Sequence, residues 1–274
     1  EKLNFNITKI ILDGPDDQLK LTQNTQPAIL TVSYAIFFVL KNEFNFNIKK
    51  EIKYFAGHSL GEYSALVCSN SLKFEDALYL LHERGKAMQE AVPIGEGGML
   101  AILGTEITEI DKMISNLKTK LICEIANDNA HGQIIVSGNL KAINELKDIL
   151  KTKKIKSILL PVSAPFHCSL MKSAAEKMKE KINSITFKNP EFDIVTNVTA
   201  EAEKNPDIIK KLLVDQIYSK VRWRETISYM INKNINSFIE IGPGKVLSSL
   251  IKRISKDKLA SSLNSEEDIK NLIK

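Results

Sequence analysis

The sequence predicts an α/β fold, with a parallel-sheet large domain at residues 1–97 and 163–274 interrupted by a small domain at 98–162. Three observations carry that prediction. Short apolar runs at 52–57 (IKYFAG), 192–196 (FDIVT) and 237–241 (SFIEI) alternate with long helical patterns, as parallel strands joined by helical crossovers do. Between residues 98 and 162 the order becomes strand, helix, strand, strand, helix, strand, the ferredoxin-like βαββαβ succession. A Gly-x-Ser-x-Gly element, Gly57-His58-Ser59-Leu60-Gly61, follows the first apolar run and opens a segment of good helix formers, LGEYSALVC.

Each element has a local reason. PAILTVSYAIFFVL at 27–40 is broken by polar residues and is too short to span a bilayer, so a buried helix is expected and a membrane anchor is not. IKYFAG is short, β-branched and aromatic, as a buried strand is, and residues 74–92 form an amphipathic helix. In the small domain MLAILG, LICEIA, QIIVSG and IKSILLPV read as strands, and TEITEIDKMISNLK and NLKAINELKDILK as helices. Gly95, Gly97 and Gly98 suggest a hinge on its entering side, and a helix is expected from about Ser169. Gly242-Pro243-Gly244 forms a second glycine turn at a strand end.

Bulk properties narrow the function. With 43% hydrophobic and 26% charged residues in 274, the chain has the composition of an ordinary globular protein. Its first residues, EKLNFNITKI, lack the basic start and apolar run of a secretory signal. Cys68, Cys123 and Cys168 are far apart with no C-x-x-C pair, which fits a reducing compartment, the cytoplasm, and argues against disulfides or a zinc site. The net charge of +5 is dispersed without a basic tract, so nucleic acid is not an expected partner, while an acidic macromolecule suits it.

The glycines of the elbow let the chain turn sharply from strand to helix, which raises the Ser59 hydroxyl above the sheet and points the first N–H groups of the helix at it. A serine hydroxyl needs a base within hydrogen-bonding reach. Of the four histidines, His58 neighbours the serine on a tight turn and points away from it, His82 lies within a helix, and His131 falls in a loop of the small domain. His167 follows Ala164-Pro165-Phe166 where the chain returns to the large domain, which places it on a loop facing the cleft and makes it the candidate base. A carboxylate to orient it is hard to find, since Asp193 lies in or beside a strand and Glu176 and Glu180 belong to a helix. A backbone carbonyl would serve as well. Arg84 lies between apolar positions of its helix, either as a snorkelling surface residue or with its guanidinium in the cleft, paired with a substrate carboxylate.

GHSLGEYSAL at 57–66, ERGKAMQEAV at 83–92, NDNAHGQIIVSG at 127–138, APFHCSLM at 164–171 and EIGPGKVLSSLIKR at 240–253 together resemble the malonyl-CoA:acyl carrier protein transacylases of fatty-acid synthesis. The resemblance spans nearly the whole chain. It implies an α/β-hydrolase-like large domain with the ferredoxin-like unit inserted, and transfer of malonyl from malonyl-CoA to the thiol of acyl carrier protein through a malonyl-serine, with no cofactor or metal. By the same resemblance Ser59 is acylated, His167 is the base, Arg84 binds the malonyl carboxylate and Gln216 offers its backbone carbonyl to the histidine. Leu60 supplies an oxyanion-hole N–H, Gln26 matches a further active-site glutamine, and Phe166 matches the malonyl-selective form of its motif.

Members of that family open with a short strand and a Gly-Gln-Gly-Ser-Gln type loop that gives a second oxyanion amide. The sequence begins after the matching position, so a preceding segment is expected in the natural protein. A monomer is expected, with an acidic carrier docking on Lys245, Lys252, Arg253, Lys256 and Lys258. A serine hydrolase on the same elbow, or a non-catalytic carrier-docking module, are the competing readings.

Overall fold

A computed structural model describes residues 2–162 and 164–274. Ser163, where the large domain is expected to resume, lies outside the described residues. Two short helices, α1 (Ile7–Asp13) and α2 (Asp16–Lys20), lead into α3 (Thr22–Asn42), the helix expected at 27–40. α3 buries Ala28, Leu30, Phe37 and Leu40 on one side and leaves Phe38 outward. The chain continues through α4 (Ile48–Glu51), β1 (Tyr54–Ala56), α5 (Gly61–Cys68) and α6 (Phe74–Glu90). Leu30, Tyr63, Leu66, Leu80 and Leu81 from these helices are fully buried in one core. α3 and α6 cross at backbone distance because residue 85 has no side chain: a Cβ there would lie 2.5 Å from Gln23 Cα and 2.6 Å from the Thr22 carbonyl oxygen.

The middle of the chain forms β2 (Gly97–Leu103), α7 (Ile107–Ser115), β3 (Cys123–Ala130), β4 (Gln133–Asn139), α8 (Leu140–Thr152) and β5 (Lys156–Leu159). The strands make an antiparallel sheet in the order β3-β4-β2-β5. Leu100, Ile102, Ile134 and Val136 of the sheet pack against Ile110, Ile143, Leu146 and Leu150 of the two helices as a separate core. Gly97 and Gly98 are not the expected hinge but the first residues of β2. Gly97 is needed there because a Cβ would lie 2.4 Å from the Pro165 ring, so the strand and the returning chain pass closer than any side chain allows. Gly95, with φ 89°, is the one of the three that turns the chain.

β3 runs beyond its own sheet. Its ladder shifts register at Ile125/Asn127 and Asp128/Ala130, and its backbone also bonds to the segment at Val221: Asp128 N–H donates to the Val221 carbonyl (3.0 Å) and Val221 N–H to the Ala126 carbonyl (2.8 Å). The buried Asp128 carboxylate also takes two donors of Arg224. The two units are therefore fastened by a backbone pair and a bidentate ion pair.

A 3₁₀ turn (Ser169–Met171) opens α9 (Lys172–Ser184), followed by β6 (Asp193–Val195), β7 (Ala202–Glu203), α10 (Pro206–Gln216), α11 (Trp223–Asn232), β8 (Ser237–Ile241), α12 (Val246–Ile254), β9 (Leu259–Leu263) and α13 (Glu266–Ile273). β1 and β6 pair in parallel, with β7 antiparallel on the far side of β6, while β8 pairs in parallel with β9 in a second ladder. The architecture is α/β with mixed sheets. The strands expected at 52–57, 192–196 and 237–241 thus divide between two ladders, because β8 finds its partner in LASSL, a half-exposed serine-rich strand without the apolar pattern that reveals strands in a sequence.

Gly85→Ala is expected to force α3 and α6 apart and destabilise the protein by about 1–3 kcal/mol, the usual cost of overpacking. Thermal unfolding measures it, and an unchanged midpoint would contradict the close crossing.

Candidate active site

The elbow forms where β1 ends. A Cβ on Gly57 would lie 1.9 Å from the Gly61 carbonyl oxygen, so the turn closes on itself only with glycine there. Ser59 is left-handed (φ 53°), and α5 starts two residues later, with Leu60 as its N-cap residue. The Gly61, Glu62 and Tyr63 N–H groups of that first turn donate to the His58, Ser59 and Leu60 carbonyls (2.9, 3.1 and 3.0 Å). Asn197, just past the carboxyl end of β6, clamps the turn: its Oδ1 accepts from Ser59 N–H (2.7 Å) and its Nδ2 donates to the Gly57 carbonyl (2.7 Å).

Ser59 Oγ lies 2.8 Å from His167 Nε2. His167 Nδ1 lies 2.9 Å from the Gln216 backbone carbonyl. A carbonyl only accepts, so Nδ1 carries the proton and Nε2 presents its lone pair to the serine hydroxyl. No carboxylate is needed to set this tautomer. Burial first, and the charge of Arg84 second, push the His167 pKa down to about 3, so the ring is neutral and able to take a proton.

His167 is also left-handed (φ 58°). Ser59 and His167 both occupy a conformation that costs a non-glycine residue on the order of 1–3 kcal/mol, and tertiary contacts hold the second. The Glu124 carboxylate of β3 accepts from Ser169 N–H (2.8 Å) and Ser169 Oγ (2.6 Å). Cys168 Sγ donates to the Pro165 carbonyl at 3.1 Å.

Arg84 is not a snorkelling surface residue. At 1% exposure it is among the most buried side chains, with Cζ 5.9 Å from the centre of the Tyr63 ring. Nη1 donates to Gln26 Oε1 (2.6 Å), and Nη2 to Gln216 Oε1 (2.8 Å) and Ser59 Oγ (3.0 Å). Nε has no partner among the described residues. Gln26, Ser59, Arg84, His167 and Gln216 therefore meet at one point. Leu60 stands beside them at the start of α5, and Phe166 packs between the large core and the Met99, Ala126 and Ile135 cluster under the small sheet.

The other histidines stay apart from the serine hydroxyl. His58 Nε2 bonds Asn129 Oδ1 (2.8 Å) and its ring packs on Trp223, His82 Nδ1 bonds the Gln23 carbonyl (3.0 Å), and His131 is exposed in a turn. Asp193 pairs with Lys204 at the strand's opposite end.

Sequence reasoning missed Asn197 and Glu62. Asn197 carries a findable signal, because it follows a parallel strand's carboxyl end, where sites in such sheets form. Glu62 gives none, since an acidic residue in a helix's first turn is ordinary dipole pairing. Here it is fully buried, and Oε2 accepts from Asn197 N–H (2.9 Å) and Gln216 Nε2 (2.9 Å). A hydroxyl with a neutral imidazole, a buried cation and the Leu60 N–H beside it can carry out acyl transfer with an anionic acyl group.

The acyl transferase domain model matches residues 1–271. The chain is 40% identical to the malonyl CoA-acyl carrier protein transacylase of Bacillus subtilis over 98% of its own length and 84% of the relative's. It is also 40% identical to the transacylase of Staphylococcus aureus, over 98% and 85%. The crystal structure of an acyl-carrier-protein S-malonyltransferase from Bartonella henselae superposes with a TM-score of 0.96 at 40% identity, covering 99% of this chain and 87% of that one. A malonyl-transacylase in complex with its type II PKS acyl-carrier protein superposes with a TM-score of 0.91 at 36% identity, covering 98% and 86%.

The depressed His167 pKa has a consequence for stability. Between its ordinary 6.5 and about 3 the unfolded chain binds a proton that the folded protein excludes. The contribution is complete above 6.5 and is lost as pH falls toward 3. His167→Gln should therefore lose stability less steeply across that window, by up to one proton or about 1.4 kcal/mol per pH unit. Denaturant titrations at stepped pH measure the slope, and identical slopes would contradict the buried neutral imidazole.

Proposed function

The chain belongs to the acyl transferase domain family, and from that premise we propose that its activity, transfer of a malonyl group from coenzyme A to acyl carrier protein, proceeds in two half-reactions through a malonyl ester on Ser59. In the first, His167 Nε2 takes the Ser59 proton as Oγ attacks the thioester carbonyl. The oxyanion is met by the Leu60 N–H at the start of α5. Collapse expels the coenzyme A sulfur, which receives the proton from His167. In the second, His167 takes the proton of the carrier's phosphopantetheine thiol, the sulfur attacks the ester carbonyl, and Ser59 leaves with that proton. The Gln216 carbonyl keeps the imidazole in the right tautomer through both.

The observation that carries this reading is the buried Arg84 guanidinium 3.0 Å from the nucleophile. A buried cation is costly unless paired, and its partners in the free enzyme are neutral amides and a hydroxyl. A malonyl carboxylate, one methylene from the reacting carbonyl, supplies a countercharge in direct contact, with Gln26 and Gln216 steadying the guanidinium. Phe166 crowds an α-methyl branch and disfavours methylmalonyl by roughly 1–3 kcal/mol.

We read the large region as α/β-hydrolase-like and residues 98–162 as an inserted ferredoxin-like domain, a reading supported by the strand order of the small sheet. The enzyme acts as a cytoplasmic monomer without a cofactor. Cys68, Cys123 and Cys168 are free thiols, and no helix among the described residues is long and apolar enough to cross a membrane. The acidic carrier approaches the basic residues of α12 and its two flanks, where Lys245 at the start of the helix and Lys252, Arg253 and Lys256 at its far end are exposed while Lys258 is drawn in against Asp257 and Asn236.

Ser59→Ala is expected to abolish acyl-enzyme formation from malonyl-CoA. Arg84→Ala is expected to slow malonyl loading roughly 10- to 100-fold, the range for losing charge-assisted hydrogen bonds, and to leave acetyl loading nearly unchanged. Intact-protein mass spectrometry of rapidly quenched samples follows both, and equal losses for the two acyl groups would contradict the role of Arg84.

A further inference from the structure

Glu62 takes no part in the reaction as described, yet it sits in the same buried network. Its Oε2 accepts from Gln216 Nε2, and the oxygen of that amide accepts from Arg84 Nη2. Anion and cation are thus joined through one side-chain amide. A carboxylate only accepts and a guanidinium only donates, whereas an amide has one end of each kind. Only one orientation of the Gln216 amide satisfies both neighbours. The reversed orientation would turn its NH₂ toward the guanidinium and its oxygen toward the carboxylate and the Ser59 carbonyl, which also accepts from Nε2 (3.1 Å), opposing like ends at all three contacts.

We propose that Glu62 is a positioning residue for malonyl selectivity, which with the Ser59 carbonyl keeps the Gln216 amide oxygen on Arg84 and thereby holds the guanidinium beside Ser59. This rests on the reading of Arg84 as the receptor of the malonyl carboxylate. The backbone carbonyl of Gln216 is already committed to His167, so the residue cannot swing away to find other partners. Glu62 also accepts from Asn197 N–H, whose side chain clamps the elbow. The two duties separate chemically: Asn197 N–H needs any acceptor, whereas the Gln216 amide needs a neighbour that never donates. Glutamine at position 62 keeps an acceptor for Asn197 and adds a donor that permits the reversed amide.

The test is the preference of Ser59 for malonyl-CoA over acetyl-CoA, from the saturation kinetics of acyl-enzyme formation by wild type and Glu62→Gln. The preference is expected to fall at least tenfold in Glu62→Gln, through a higher KM for malonyl-CoA, while acetyl loading and the thermal midpoint stay near wild type. An unchanged preference, or equal losses for both acyl groups, would overturn the proposal. Should the variant fail to fold, the wild type carries the same test. Burial pushes the Glu62 pKa up to about 7, and a protonated carboxyl gains a donor, so the preference should drop below that pH.

Of the ionisable groups around Glu62, Tyr63 on α5 has its pKa raised to about 12 by burial, Arg84 on α6 has its pKa lowered by burial, and His167, down to about 3, stays neutral. The end of β6 and α10 present the uncharged Asn197 and Gln216. A preference flat from pH 5 to 8 would overturn the proposal. No malonyl ester in the wild type would overturn the reading of Ser59 itself, whereas a wild-type preference that survives Glu62→Gln overturns the role of Glu62 alone.

Discussion

Gln216 carries two sets of hydrogen bonds on which the cleft depends. Its backbone carbonyl fixes the proton of His167 on Nδ1, and its side-chain amide joins Arg84, the Ser59 carbonyl and Glu62. His167 and Arg84 are therefore both held by one residue at the end of α10. A carboxylate in place of that carbonyl would bring a further charge close to Arg84 and compete for its guanidinium. A neutral acceptor orients the imidazole and leaves the guanidinium available.

The surroundings are built to hold strained pieces still. Ser59 and His167 are both left-handed, and neither is a glycine. Asn197 clamps the first through the backbone on either side of the turn, and Glu124 and Cys168 brace the loop of the second. Glu124 belongs to β3, the strand that also reaches across to Val221 and Arg224, so β3 helps set where His167 stands. Gly97 and Gly85 serve the same end from outside the cleft, by letting β2 approach Pro165 and α6 approach α3 without side chains between them. The α3–α6 approach brings Gln26 to Arg84, since Gly85 follows the arginine and packs on Gln23, one turn before the glutamine.

What was legible in the sequence is what is local. The strand, glycine turn and helix around Ser59 follow from a few consecutive residues, as do the succession from β2 to β5 and the helices on either side. Loop position made His167 a candidate, but its orienting group was not derivable from residue type, because a backbone carbonyl leaves no mark in a sequence. Gln216 and Gln26 came only from the family resemblance. Asn197 and Glu62 went unseen because their partners lie far away along the chain. β8 was legible and its partner β9 was not, since LASSL is neither apolar nor alternating. The expected hinge at Gly97 and Gly98 failed for a related reason, as a glycine needed for close approach looks the same as one needed for flexibility.

The central claim, that malonyl rests on Ser59 between two thioesters, is tested most directly by mixing the enzyme with excess malonyl-CoA in the absence of acyl carrier protein and following coenzyme A release on the millisecond scale. The account predicts a burst of one equivalent of coenzyme A per enzyme, absent in Ser59→Ala, with the malonyl group then passing to carrier protein added after excess malonyl-CoA is removed. Release of coenzyme A only when the carrier is present would mean direct transfer between the two thioesters and would contradict it.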